Sequence, residues 1–255
     1  MPKKIKIVLL LLLTLFLTKD AFANSYFIVA PGVLHLNVSK RRPIESFIVR
    51  NTGKSKIRLR LAPIYYSINS KSMKMGIPLN NKIVDDISKN LMISPRILSL
   101  RPGQKRTVRV AYRKKAKLAP GDYRAHVLIR SVDPIKQKVK PDSSSKGISL
   151  NLEIKLQTAI AVYVHSGKSN ASLDFTVDKD KLGHILITAK NSTKFKYDGW
   201  FQIIQNNNKS KIERFMIFRE STRAFAIKDN KMESLTVKWG AKKTALKYEK
   251  NFKLN

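Results

Sequence analysis

The stretch from Gly147 to Ser166 constrains the fold of this chain more than any other. Its even positions read Ile148, Leu150, Leu152, Ile154, Leu156, Thr158, Ile160, Val162 and Val164. Its odd positions read Ser149, Asn151, Glu153, Lys155, Gln157, Ala159, Ala161, Tyr163 and His165. Successive strand residues point to opposite faces, so a period of two marks a strand with one apolar side. Ordinary strands hold about 5–6 residues, whereas this one, unbroken, would span roughly 55 Å at about 3.3 Å per residue. Two readings fit. The segment is a long core strand of a β-sandwich, or its second half fills its own core while its first half offers apolar side chains to another protein. Periodicity alone favours the first, because long regular strands are ordinarily structural.

A chain of 255 residues can form one large domain or two small ones. It contains no cysteine, which excludes disulfides, thiol nucleophiles and zinc–thiolate sites but not an oxidising compartment. Residues 1–23 have the pattern of a secretory signal. Lys3, Lys4 and Lys6 form a positive start, Ile7 to Leu17 an apolar run, and Ala21-Phe22-Ala23 a cleavage site before Asn24. The apolar run is about 11 residues, short of the roughly 20 that cross a bilayer. No later segment is apolar enough to do so, and a mature, exported protein without a transmembrane segment is expected, with cleavage after Ala23. The net charge of +34 favours polyanions at low salt. Its carriers are scattered, however: Arg58 and Arg60, Arg106 and Arg109, and Lys242 and Lys243 sit among core positions. No specific nucleic-acid partner is expected.

The remaining chain is a series of short β-type runs divided by turn signals. Phe27 to Val38 is broken by Pro31-Gly32, and a proline inside a run marks an edge strand or one that changes sheets. Ile44 to Arg50 leads to the turn Asn51-Thr52-Gly53-Lys54, and Ile57, Leu59 and Leu61 alternate with Arg58 and Arg60. Residues 67–90 suggest a long loop. Leu91 to Arg96, Ile97 to Leu100, a turn at Arg101 to Gln104, Thr107 to Arg113, and Tyr123 to Ile129 follow, and then a polar loop over 131–147. Seven strands in about 140 residues make an Ig-like sandwich that the long strand closes. Beyond the linker-like Ser166 to Asn170, six shorter runs make a second. The expected fold is all-β, two Ig-like sandwiches in tandem, with residues 24–166 and 167–255 as the domains.

Enzymatic motifs are missing from the sequence. His35, His126, His165 and His184 share no metal-ligand spacing, and each is expected on the polar side of a strand or near a turn. Asp178 to Gly183 opens like a calcium loop, but Leu182 and Ala189 stand where the fifth and twelfth ligands belong, which leaves a hairpin turn. Neither a metal, a cofactor nor a catalytic residue is expected. Phe215, Phe218 and Phe225 among Arg214, Arg219 and Arg223 approach a base-stacking platform, although core packing explains these aromatics more cheaply.

Several motifs in the right order bring in a family. Met92-Ile93-Ser94-Pro95-Arg96, followed by Leu100-Arg101-Pro102-Gly103-Gln104-Lys105-Arg106-Thr107-Val108-Arg109-Val110, resembles the signature of periplasmic pilus-assembly chaperones of the chaperone–usher pathway. Gly121 to Arg130 resembles a strand from a divergent branch of that family, and Ser46 to Gly53 its second strand. The resemblance covers residues 26–165; the rest matches only in size and β character. It implies two Ig-like domains set in a boomerang, a periplasmic location, pilus or fimbrial subunits as partners, and delivery to an outer-membrane usher. It also gives the long strand a role. A pilus subunit lacks its last strand, and the chaperone inserts its own by β-augmentation. On this resemblance Leu150, Leu152, Ile154 and Leu156 are the donor residues, while Ile160, Val162 and Val164 stay in the chaperone's core. Four donors buried at about 1.5–3 kcal/mol each supply roughly 6–12 kcal/mol before ordering costs.

One departure stands out. Family members anchor the subunit's terminal carboxylate with an Arg on the first strand and a Lys on the last, where this chain has Val33 and Ala161. Neither can pair with a carboxylate. The anchor is absent, the register differs, or another cation serves; Arg50, Arg113 and Arg124 are candidates, each also readable as a solvated strand-face charge. The alternatives to a subunit chaperone are a secreted, basic Ig-like module that binds polyanions or cell-surface partners, and an exported structural protein that self-associates through the same strand.

Overall fold

The computed structural model describes residues 26–39, 41–67, 84–113, 118–132, 135–138, 151–179, 184–205, 208–227 and 234–253, with backbone alone for 135–138, 151–154 and 179. The signal-like residues 1–23 lie outside this set.

The first half contains β1 (Phe27–Ala30), β2 (Val33–Asn37), β3 (Ile44–Asn51), β4 (Ile57–Ile64), β5 (Leu91–Ser94), β6 (Ile97–Leu100), β7 (Lys105–Tyr112), β8 (Gly121–Ser131), β9 (Ile135–Lys138), β10 (Asn151–Ile154) and β11 (Gln157–Ser166). One sheet has the order β1-β3-β7-β5 and another the order β2-β11-β8-β4-β6. Alternation builds the core between them: Phe47 and Val49 of β3 are buried, Ile48 and Arg50 are exposed, and Leu34, Leu59, Val108, Val127 and Val162 complete the layer. The strands outnumber the seven expected because two runs each divide between the sheets, the long segment divides into β10 and β11, and β9 is an added strand. Pro31-Gly32 separates β1 from β2, and Pro95-Arg96 separates β5 from β6. Proline lacks the amide hydrogen a ladder needs, so it falls where pairing is handed over.

The motif residues hold turns. Gly103 has φ of 74°, a conformation open to glycine. Its amide donates to Asn51 O, while the Asn51 amide donates to Gln104 O. The Asn51 side chain, fully buried, donates to Ser55 O and Leu100 O and accepts from the Gly53 amide. The second half repeats this device at Asn191, whose side chain donates to Phe195 O and Phe218 O and accepts from the Thr193 amide.

That half contains β12 (Asp174–Lys179), β13 (Ile185–Asn191), β14 (Tyr197–Gln205), β15 (Asn208–Lys209), β16 (Glu213–Ile217), β17 (Ser221–Ile227), β18 (Ser234–Gly240) and β19 (Tyr248–Lys253). Its sheets run β12-β13-β17 and β15-β14-β18-β19, with β16 also on β14. Phe175, Phe201, Phe215 and Trp239 fill the space between; the Phe175 and Trp239 rings are 4.6 Å apart. Phe215 is therefore core, and Phe225 packs against that core. The lysine-rich β19, which gives little sequence signal, is held because Phe252 packs on the core and Lys250 Nζ reaches Asp174 at 2.7 Å. The fold is all-β, two Ig-like β-sandwiches in tandem, and the one helical turn among the described residues is the 3-10 turn Ser88–Asn90.

Candidate functional site

The alternating segment is not one strand. β11 pairs with β8 from Gln157↔Arg130 to Ser166↔Gly121. β10 pairs instead with β9, in a separate two-stranded sheet, from Asn151↔Lys138 to Ile154↔Ile135. The break falls at Lys155–Leu156, between the β9 pairing that ends at Ile154↔Ile135 and the β8 pairing that begins at Gln157↔Arg130. β9 itself replaces part of the loop expected over 131–147.

The two edges of this segment differ. On one side β2 runs parallel to β11 over Val33↔Ala161 to Asn37↔His165, and Ala161 N–H donates to Gly32 O. Among the described residues, no strand pairs with the same edge at Gln157–Ile160, nor with the outer edge of β10. Of the four donor residues expected from the sequence, three lie on the segment with this edge. Leu150 lies outside the described residues, Leu152 and Ile154 are in β10, and Leu156 is half-buried at the break. Ile160, Val162 and Val164 are core residues. Val33 and Ala161 face each other across the β2–β11 pair, Val33 being 43% exposed.

Where β8 and β11 meet the second sandwich, a polar cluster fixes the junction. Asp122 Oδ2 accepts the Lys196 amide at 2.8 Å, the Asp122 amide donates to Lys194 O, and Asp122 O accepts from Arg219. Gly121, at φ 150°, lies so close that a Cβ would stand 2.9 Å from Lys194 O. His165 Nδ1 is 2.7 Å from Asp122 Oδ1 and its Nε2 is 2.8 Å from Gly167 O. Arg124 is not a solvated strand-face charge, as the sequence allowed. It is 7% exposed, and its Nε is 3.2 Å from Asp85 Oδ2. It also donates to the Tyr65 hydroxyl, and its guanidinium lies 4.3 Å from the Phe218 ring centre of the second sandwich. Burial and the hydrogen bond to Asp85 push the Tyr65 hydroxyl far up in pKa.

His126 corrects a second expectation. It is buried, not on a polar face, and its Nδ1 accepts the Tyr66 amide. Burial, aided by the Arg124 charge, lowers its pKa to about 4. A base with a depressed folded pKa takes up its proton more readily when unfolded. Its contribution is fully present above the ordinary value of 6.5 and is lost as pH falls toward about 4. Allowing for solvent screening, the loss is about 2 kcal/mol. We expect urea unfolding of wild type to weaken over that window by about this much more than unfolding of His126→Gln; parallel pH profiles would show that His126 is not responsible.

Between the sandwiches lie two adjoining cavities of about 480 and 460 Å³ that share His35, Tyr163, Lys196 and Asp198. The second also meets Val33, Arg214 and Arg223. Asp198 pairs with both Lys196 (3.6 Å) and Arg214 (3.0 Å), and Lys196 Nζ sits 5.2 Å from the Tyr163 ring centre. Burial, followed by the Lys196 charge, lowers the pKa of His35. The cations of this cleft thus come from the second sandwich. None of the three arginines considered from the sequence lines it: Arg50 is on the far sheet, Arg113 follows β7, and Arg124 is committed to Asp85. Among the described residues no group of His, Cys, Asp or Glu gathers where it could hold a metal ion, and no helix is long and apolar enough to cross a membrane.

Two tandem Ig-like sandwiches, with the last strand of the first preceded by β10 in a separate two-stranded sheet, define the structural class. Solved structures of the same fold include chaperones, alone or in complex with a pilin or a tip subunit. The YadV chaperone matches with TM-score 0.55 at 10% identity over 89% of this chain and 100% of that one. The Salmonella enterica SafA pilin in complex with the SafB chaperone gives 0.51 at 9% identity over 89% and 96%. The CsuC–CsuE chaperone–tip adhesion subunit pre-assembly complex, from archaic chaperone–usher Csu pili of Acinetobacter baumannii, gives 0.50 at 12% over 89% and 96%. At these identities the likeness is one of fold. No family profile and no curated protein matches the chain.

Proposed function

We propose that this protein is a periplasmic chaperone of pilus or fimbrial subunits. It holds them by adding the edge from Asn151 to Ile160 to their incomplete sheet, and passes them to an outer-membrane usher. The observation that carries this reading is the unpaired edge itself. An alternating apolar segment with one edge free is a template for another chain. The likeness in fold to chaperones solved with a pilin or a tip subunit supports the same reading. Leu150, Leu152, Ile154 and Leu156 fill the subunit's open core. Neither Val33 nor Ala161 anchors a carboxylate, so main-chain pairing and these four side chains set the affinity. The signal-like segment, which ends at Ala23, supports a periplasmic location.

Co-expression tests this. With a pilus subunit encoded beside this chain, we expect soluble subunit to accumulate and to co-purify one-to-one; a subunit equally abundant without the chain, or free of it on purification, refutes the proposal. Binding to polyanions that vanishes with salt, with no subunit captured, would identify the basic binding module instead.

A further inference from the structure

The outward face of the five-stranded sheet has a charge arrangement that folding does not explain. Arg130 of β8 and Arg60 of β4 are direct cross-strand partners, both exposed, with Gln157 on one side of the pair and the 48%-exposed Ile97 on the other. Arg58 stands two residues from Arg60 on the same face, opposite Ser99. Like charges directly opposite one another destabilise a sheet. Among the described residues no carboxylate forms an ion pair with any of the three. The row ends at Gln157, the first residue of β11, where the pairing edge is free.

We infer that this arginine row recognises an acidic partner strand: the segment added at the Gln157–Ile160 edge carries Glu or Asp on the side facing Arg130 and Arg60. This rests on the strand-addition reading and names the chemistry of the client. A strand paired at that edge lies about 4.8 Å from β11 and about 9.6 Å from β8. A glutamate reaching inward and an arginine reaching outward span that gap over Gln157. The match relieves the Arg60–Arg130 repulsion, which no ion pair among the described residues does. Partly solvated charges act more on encounter and register than on dwell time.

Labelled alternating peptides, acidic (Val-Glu)5 and neutral (Val-Thr)5, measure this directly by stopped-flow association with the full chain. At low salt the acidic peptide associates about tenfold faster than the neutral one, and high salt removes the advantage. Arg60→Gln with Arg130→Gln brings the acidic peptide down to the neutral rate. Arg50→Gln with Lys105→Gln, the same charge change on the outer face of the other sheet, leaves it within about twofold. Equal slowing by both double variants means attraction by net charge alone and overturns the inference, as does an acidic peptide with no advantage. If Leu152→Asp with Ile154→Asp leaves both peptides unaffected while the Arg60 and Arg130 effect persists, strand addition is the part that fails and the acidic recognition stands.

Discussion

Aspartates at Leu152 and Ile154 are expected to weaken subunit capture by about 10²–10⁴-fold, the equivalent of about 3–6 kcal/mol. Each substitution removes an apolar side chain worth about 1.5–3 kcal/mol on full burial, and puts in a carboxylate that has no partner in an apolar groove. The chaperone's own fold is expected to stay intact, because β10 lies in a separate two-stranded sheet, while β11 carries the core residues Ile160, Val162 and Val164. Thermal unfolding of the free variant should therefore match wild type, while co-purified subunit disappears. Leu152→Val with Ile154→Val keeps the apolar character and retains capture within about tenfold. Undiminished capture by the aspartate variant would rule out β10 as the donor.

Arg124→Ala is the second large effect, and it falls on stability. The substitution leaves Asp85, 8% exposed, without the guanidinium that neutralises it, and takes a cation from the Phe218 ring. Breaking a buried pair by removing one partner costs about 3–5 kcal/mol. For a chain of this size the melting temperature should fall by on the order of 10 °C. Arg124→Lys keeps the charge but not the planar fork that spans Asp85 and Tyr65, so its loss should be intermediate. Because Phe218 belongs to the second sandwich, the alanine variant should also be cut faster by proteases in residues 166–170. An unchanged melting temperature would mean that water or a rearranged Lys compensates the carboxylate.

The candidate donor strand was legible in part. Alternation named the segment and its apolar positions, because a two-residue period survives without any tertiary information. It did not place the break at Lys155–Leu156, where the partner strand changes from β9 to β8. The motif Gly121-Asp122-Tyr123-Arg124 was visible as a resemblance, yet its work at the junction was not. Asp122 meets Lys196 across 74 residues, and Arg124 meets Asp85 across 39; contacts at such separations leave no local pattern. His126 misled for the same reason: its neighbours alternate like those of any half-exposed strand, but packing beside Tyr66 buries its outer face.

By itself the sequence determined the class of fold. Prolines at 31 and 95, turn residues at Asn51–Lys54 and Arg101–Gln104, and strict alternation over 147–166 admit little besides packed antiparallel sheets, since each acts through the local backbone. Tertiary structure decided which edge is open. β2 is short and pairs with β11 only from Ala161 onward, so no described strand pairs with the hydrogen-bonding groups before it. It also decided which charges matter. Arg124 is buried and committed, whereas Arg60 and Arg130 are exposed and opposed, a distinction set by which strands become neighbours.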